Sequence, residues 1–294
     1  MDIRGVLPPM ITPFTRSGEV DFDGHVRNIN RWNKEELSGY LVLGSNSETP
    51  FLSESEKLRL VELTVKHAAK GRTLLAGTGL ESTRETIRFT NLVADIGIHA
   101  ALVLTPHFYG GQMDDKALVA HFREVAERSR IPVLIYNVPA YTRLNISLDA
   151  VRMLCEHPNI IGMKDSSGDV PRLAAMKNFL PAAFNLLVGT AGAWYPALTL
   201  GIRGGILALA NFAGTQCSAV QKLFEEKKYE EAQSLYLKLI SLNTAVTSTY
   251  GIAGLKYAAT LLGYAGGEVR SPLLGLNEQA STRIKELMIR SGLL

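Results

Sequence analysis

Eight short apolar runs, separated by stretches with helical spacing, constrain this chain more than any other feature of its sequence. The runs cover Gly5 to Ile11, Tyr40 to Leu43, Thr73 to Gly77, Ala101 to Pro106, Pro132 to Pro139, Ile160 to Lys164, Leu186 to Thr190 and Gly204 to Asn211. Helical stretches follow at Phe22 to Leu37, Glu54 to Ala69, from Ser82 toward Ile96, at Asp114 to Ser129, near Ser147 to Leu154, at Val170 to Phe179, and briefly from Ala193. Ser53 with Glu56 has the spacing of a capping box for the second of these. Such an alternation predicts an α/β fold, a (β/α)8 TIM barrel. A doubly wound sheet is the competing architecture, but no GxGxxG or GxxxxGK[ST] loop follows the first run. Beyond Asn211 only helices are expected, over Gly214 to Glu226, Tyr229 to Leu242, Gly251 to Leu262 and Glu278 to Ser291. The expected organisation is a barrel over 1–215 and a C-terminal helical extension over 216–294, packed on it.

Composition excludes several partners. A chain of 294 residues, 46% of them hydrophobic, can bury one large core. Its formal charge of +3 is spread without a basic stripe, and the mixed charges between Phe224 and Ala232 read as a solvated helix face. Nucleic acid is therefore not an expected partner. Cys155 and Cys217 are few and distant, with no CxxC, so a reducing compartment is the default. No apolar run reaches membrane-spanning length, and MDIRGVLPPMITPF lacks the apolar core of a signal peptide. The expectation is a cytoplasmic protein without membrane partners, or a mitochondrial matrix protein whose presequence has been removed.

In a TIM barrel, chemistry sits at the C-terminal ends of the strands. Polar residues gather there, in GSNSETP (Gly44 to Pro50), TPHFYGG (Thr105 to Gly111), YNVPAYT (Tyr136 to Thr142), Lys164 to Ser167, and Asn211. Tyr136 and Lys164 end consecutive strands and can meet if both point inward. Burial favours the neutral lysine amine, which attacks a ketone to form an electron-withdrawing iminium. A nearby tyrosine hydroxyl can relay protons. The plainer reading is a lysine reaching from the strand end into solvent. His67, His107, His121 and His157 lack HExxH or HxH spacing, so no metal is expected. His107 lies in a mouth loop, whereas the other three read as helix-surface or helix-end residues. A nucleophile elbow of the GxSxG type is missing.

GSNSETPFLSESEK, ALVLTPHFYG, LIYNVPAYT, IIGMKDSSGD and GGILALAN resemble, in order and spacing, the dihydrodipicolinate synthase/N-acetylneuraminate lyase family of class I pyruvate-dependent aldolases. The likeness runs from LPPMITPF to the RSPL segment at Arg270 to Leu273. It implies the barrel with its C-terminal extension, commonly assembled as a homotetramer built as a dimer of dimers. Lys164 matches the Schiff-base lysine and Tyr136 the proton-shuttling tyrosine. Ser45 and Asn46 match the pair that holds the pyruvate carboxylate, an arrangement suited to adjacent N–H donors. Gly189 and Ile206 match positions lining the pyruvate pocket. No cofactor is implied beyond the covalent imine through Lys164.

By the same resemblance, Phe108 and Tyr141 match positions where the family selects its second substrate. The synthases usually carry YNVPxRT, whose arginine grips the carboxylate of aspartate semialdehyde; Tyr141 replaces it here. Phe108 stands where they place an aromatic hydroxyl, and Ser45-Asn46 where they place two threonines. GSNSETPFL, GMKDSSGDV, NTAVTSTYGIAGLK and EVRSPL are more similar to the 4-hydroxy-2-oxoglutarate aldolases. The expected reaction is cleavage of 4-hydroxy-2-oxoglutarate to pyruvate and glyoxylate. The alternatives are condensation of pyruvate with aspartate semialdehyde to 4-hydroxy-tetrahydrodipicolinate, or the chemistry of a related sugar-acid aldolase or dehydratase. Asp165 and Ser166 after the lysine distinguish the chain from N-acetylneuraminate lyases.

Overall fold

The computed structural model describes all residues from Met1 to Leu294. In chain order the elements begin with β1 (Gly5–Leu7), α1 (Phe22–Trp32), β2 (Gly39–Val42) and α2 (Glu54–His67). Next come β3 (Thr73–Gly77), α3 (Thr83–Ile96), β4 (Ala100–Leu104), α4 (Asp115–Arg128) and β5 (Val133–Asn137). A one-turn helix α5 (Pro139–Thr142) precedes α6 (Leu148–Leu154), β6 (Ile160–Asp165), α7 (Val170–Lys177), β7 (Asn185–Val188), α8 (Trp194–Thr199) and β8 (Gly204–Ile206). Four helices close the chain: α9 (Ala210–Glu225), α10 (Tyr229–Thr244), α11 (Gly251–Leu261) and α12 (Glu278–Arg290). The fold is a (β/α)8 barrel with a C-terminal helical extension.

Two compact units divide the chain, and both are discontinuous in sequence. The first holds Met1–Arg4 and Thr73–Gly205. Its strands run β3 to β8 in order, each hydrogen-bonded in parallel to the next. Short buried runs rather than alternating ones form these strands, as expected of a parallel sheet covered on both faces. All five residues of β5 are buried. Side-chain caps start the helices between them: Ser82, Asp114, Ser147 and Asp169 accept from backbone N–H groups of α3, α4, α6 and α7.

The second unit holds Gly5–Arg72 and Ile206–Leu294. Ser53 and Glu56 form the expected capping box at the start of α2. Trp32, fully buried, stacks on Tyr264 at 5.9 Å and donates from its indole to the Asn211 carbonyl at 3.0 Å. A π-helical turn at Ala245–Thr249 joins α10 to α11. No helix is long and apolar enough to cross a membrane.

Several expected elements end early, among them β1, which stops at Leu7 rather than Ile11. The helix expected to reach Leu37 stops at Trp32, because the Asn33 side chain ties the next turn to His67, Ala69 and Tyr40. The apolar run from Gly204 to Asn211 is strand only as far as Ile206. Asn211 is thus not a strand-end polar group: it lies buried in the first turn of α9. Its amide donates to Pro9 and Ala208 carbonyls at 2.9 Å each and accepts from Ile11 N–H at 3.0 Å.

Candidate active site

β5 and β6 run side by side in a register that pairs Tyr136 with Lys164 and Asn137 with Asp165. Register partners on neighbouring parallel strands project to the same face, so the tyrosine and lysine share one face and their successors the other. Lys164 is only 2% exposed, and its Nζ lies 4.1 Å from the centre of the Tyr136 ring. The side chain therefore does not reach from the strand end into solvent; its Nζ is held against an aromatic face.

On the opposite face Asp165 is anchored by four donors. Its carboxylate accepts from Asn137 Nδ2 at 2.9 Å, Arg172 Nε at 3.0 Å, and the backbone N–H and hydroxyl of Ser167. Arg172 comes from α7 and also donates to the Ile146 carbonyl at 2.6 Å. The residue next to Lys164 is thereby fixed to the following helix.

Gly189 leaves the space Lys164 needs. A Cβ there would fall 1.7 Å from Ser166 Oγ and 2.9 Å from Lys164 Cε. Two hydroxyls in this unit, Thr105 Oγ1 and Ser166 Oγ, are buried without a hydrogen-bond partner. Thr105 directly follows Leu104, the register partner of Tyr136. A buried hydroxyl without a partner is costly unless a bound molecule supplies one. Thr105 does not stand out in the sequence; its only signal is being the first polar residue after an apolar run.

The residues expected to select a second substrate are exposed. Phe108 is 76% exposed and packs edge-to-face on Tyr109 at 5.0 Å. Tyr141, in α5, is exposed as well. The geometry of the Phe108 loop depends on Glu81, another residue without a sequence signal. Its carboxylate accepts from the backbone N–H groups of His107 and Phe108 at 2.9 Å each and lies 2.9 Å from His107 Nδ1. His107 thus turns toward Glu81. His121 is not a helix-surface residue: it is buried in α4, 2.8 Å from Thr83 Oγ1, and desolvation lowers its pKa to about 4.

Within the second unit, Ser45 and Asn46 are half-buried and form a 3₁₀ turn, Ser45–Ser47. Ile206, the last residue of β8, is fully buried. No group of three or more His, Cys, Asp or Glu side chains could hold a metal ion.

A model of the dihydrodipicolinate synthetase family matches residues 2–290. The chain belongs to this family. Membership makes it an enzyme of the class I pyruvate aldolases. A 4-hydroxy-tetrahydrodipicolinate synthase of Rhizobium meliloti is 33% identical over 291 residues, covering 98% of this chain and 97% of the relative. One from Methanospirillum hungatei is also 33% identical, over 98% and 99% of the two chains. The crystal structure of a dihydrodipicolinate synthase from Bacillus anthracis superposes with a TM-score of 0.94 at 27% identity, over 98% of each chain. That of a chloride-inhibited dihydrodipicolinate synthase from Acinetobacter baumannii, complexed with pyruvate, gives 0.94 at 28% identity, over 99% and 100%. These family members are named as synthases, not as 4-hydroxy-2-oxoglutarate aldolases, and so favour the alternative reading of the sequence over the leading one.

Proposed function

We propose that Lys164 forms a Schiff base with pyruvate and that the enzyme makes or breaks a carbon–carbon bond through the resulting enamine. The pairing of a buried Lys164 with Tyr136 carries this reading. The neutral amine attacks the C2 ketone, water leaves, and the iminium accepts the electron pair of the adjacent carbanion. Tyr136 moves a proton to or from the oxygen of the second carbonyl carbon. The family resemblance supports Ser45 and Asn46 as the residues that take the carboxylate, and Gly189 and Ile206 as lining positions. The iminium is itself the electron sink, so this chemistry needs no metal or organic cofactor. Borohydride reduction in the presence of pyruvate is expected to leave a three-carbon adduct on Lys164. An unmodified Lys164, or a fully active Lys164→Ala enzyme, contradicts the mechanism.

The relatives' name supports 4-hydroxy-tetrahydrodipicolinate as product, and the family resemblance then implies aspartate semialdehyde as the second substrate. A second reading rests on Tyr141 and Phe108, which lack the guanidinium and hydroxyl expected of a synthase. It is cleavage of 4-hydroxy-2-oxoglutarate to pyruvate and glyoxylate. Comparing kcat/KM for the two reactions decides between them, and sugar-acid substrates complete the panel. The family resemblance also supports a homotetramer arranged as a dimer of dimers, which light scattering tests.

A further inference from the structure

The turn that carries Ser45 and Asn46 is bracketed by two left-handed residues that are not glycine, Leu43 at φ 58° and Glu48 at φ 55°. L-residues avoid this region, and a side chain held there is retained only when its surroundings fix it. For Glu48 the surroundings are unusually specific. It is buried to 1% exposure, as is Lys256 of α11. One carboxylate oxygen accepts from Lys256 Nζ at 2.6 Å, the other from the Arg270 backbone N–H at 2.8 Å.

Lys256 is fully engaged in return. Its ammonium also donates to the Glu268 carbonyl and lies 4.5 Å from the centre of the Phe14 ring. Desolvation lowers its pKa to about 8, against the opposing pull of the Glu48 charge. The Arg270 guanidinium fastens the far side of the same loop. It donates to the Phe51 carbonyl at 2.8 Å and to both Glu56 carboxylate oxygens, at 2.6 and 2.9 Å. The loop and the first turn of α2 are thus joined by charge-assisted hydrogen bonds, at Glu48 and Glu56, to Lys256 of α11 and to Arg270 in the connection that follows it.

A glycine at position 48 could adopt the same backbone without strain or charge, but nothing would fix it there. A carboxylate there, with a lysine brought from 208 residues away, couples the conformation of the turn to α11. We propose that Glu48 and Lys256 are positioning residues for the 2-oxo acid carboxylate, holding the Ser45–Asn46 turn in its binding conformation from the C-terminal extension. This rests on the reading that Ser45 and Asn46 take the carboxylate. The pair touches no reacting atom, so it sets affinity for pyruvate rather than the rate of the chemical step.

The test measures borohydride-trapped adduct against pyruvate concentration for the full-length protein and for Glu48→Gln, Lys256→Met and Lys256→Arg. In the first two, half-saturating pyruvate is expected to rise about tenfold or more, with the maximal trapping rate within about threefold of the parent. Lys256→Arg, which keeps the charge, is expected to recover most of the affinity. Removing one partner of a buried pair can unfold the protein. The double variant Glu48→Gly/Lys256→Met therefore removes both charges and gives the left-handed position a glycine. It is expected to fold and still bind pyruvate weakly. Unchanged half-saturation in the folded double variant overturns the positioning role and leaves the aldolase reading intact. Absence of any adduct in the parent protein overturns both.

Discussion

Arg172 donates from Nε to Asp165 at 3.0 Å, one residue beyond Lys164 on the same strand, and both side chains are almost completely buried. Breaking such a pair from one side leaves a buried charge short of donors, which costs about 3–5 kcal/mol. Arg172→Met is expected to lower unfolding free energy by roughly that amount, read from urea titration. Asp165→Asn in the same background should recover part of the loss.

Gly189→Ala should remove Schiff-base formation by crowding. The added methyl falls within 1.7 Å of Ser166 Oγ and 2.9 Å of Lys164 Cε, so the lysine must shift. Borohydride trapping with pyruvate should fall at least tenfold, while overpacking costs only about 1–3 kcal/mol of stability. Trapping at the parent rate would show that the lysine tolerates displacement.

Tyr136→Phe keeps the ring that faces Lys164 and deletes only the hydroxyl. Loss of a positioned proton donor is expected to lower kcat by about 10²- to 10⁴-fold. Pyruvate should still be trapped on Lys164 after long incubation. A phenylalanine variant with normal turnover removes Tyr136 from the proton relay.

Two histidines set a stability limit in mild acid. His25 and His121 are buried, and desolvation lowers each pKa from 6.5 to about 4. Thr64 spends its one hydroxyl hydrogen on the Leu60 carbonyl, so His25 Nε2 must donate to it; His25 Nδ1 is then a buried lone pair without a partner. Protonation adds an N–H at a buried nitrogen that has no partner in the structure, and desolvation outweighs the help of the Leu60 backbone. The unfolded chain binds the extra protons between pH 4 and 6.5, so the stability is full above pH 6.5 and is lost as pH falls toward 4. The expected loss is on the order of 3 kcal/mol per histidine. Denaturation titrations at pH 7 and 4.5 should show it, and His121→Gln should flatten the slope.

Much of the fold is legible in the sequence because its signals are local. Ser53 and Glu56 mark the start of α2, and Ser82 that of α3, by side chains within one turn of the helix they cap. The end of β8 is not legible, since GGILALAN stays apolar across the strand boundary. The residue that settles the matter, Asn211, bonds Pro9 and Ile11 some 200 residues away. The same division runs through the site. Lys164 and Tyr136 can be matched because consecutive strands impose a register. Glu81 and Thr105 cannot, because a carboxylate collecting two backbone N–H groups and a hydroxyl lacking a partner exist only once the chain is folded.

Glu81 has a practical corollary for anyone who wishes to re-engineer the loop that carries Phe108. The aromatic residues at 108 and 109 sit on a loop whose backbone is written from outside it, by a carboxylate in the connection before α3. Grafting residues 105–112 from a relative would transplant the side chains without their instructions. Loop exchange in this scaffold is a two-segment operation, and a library that holds position 81 constant samples only the shapes that this carboxylate permits.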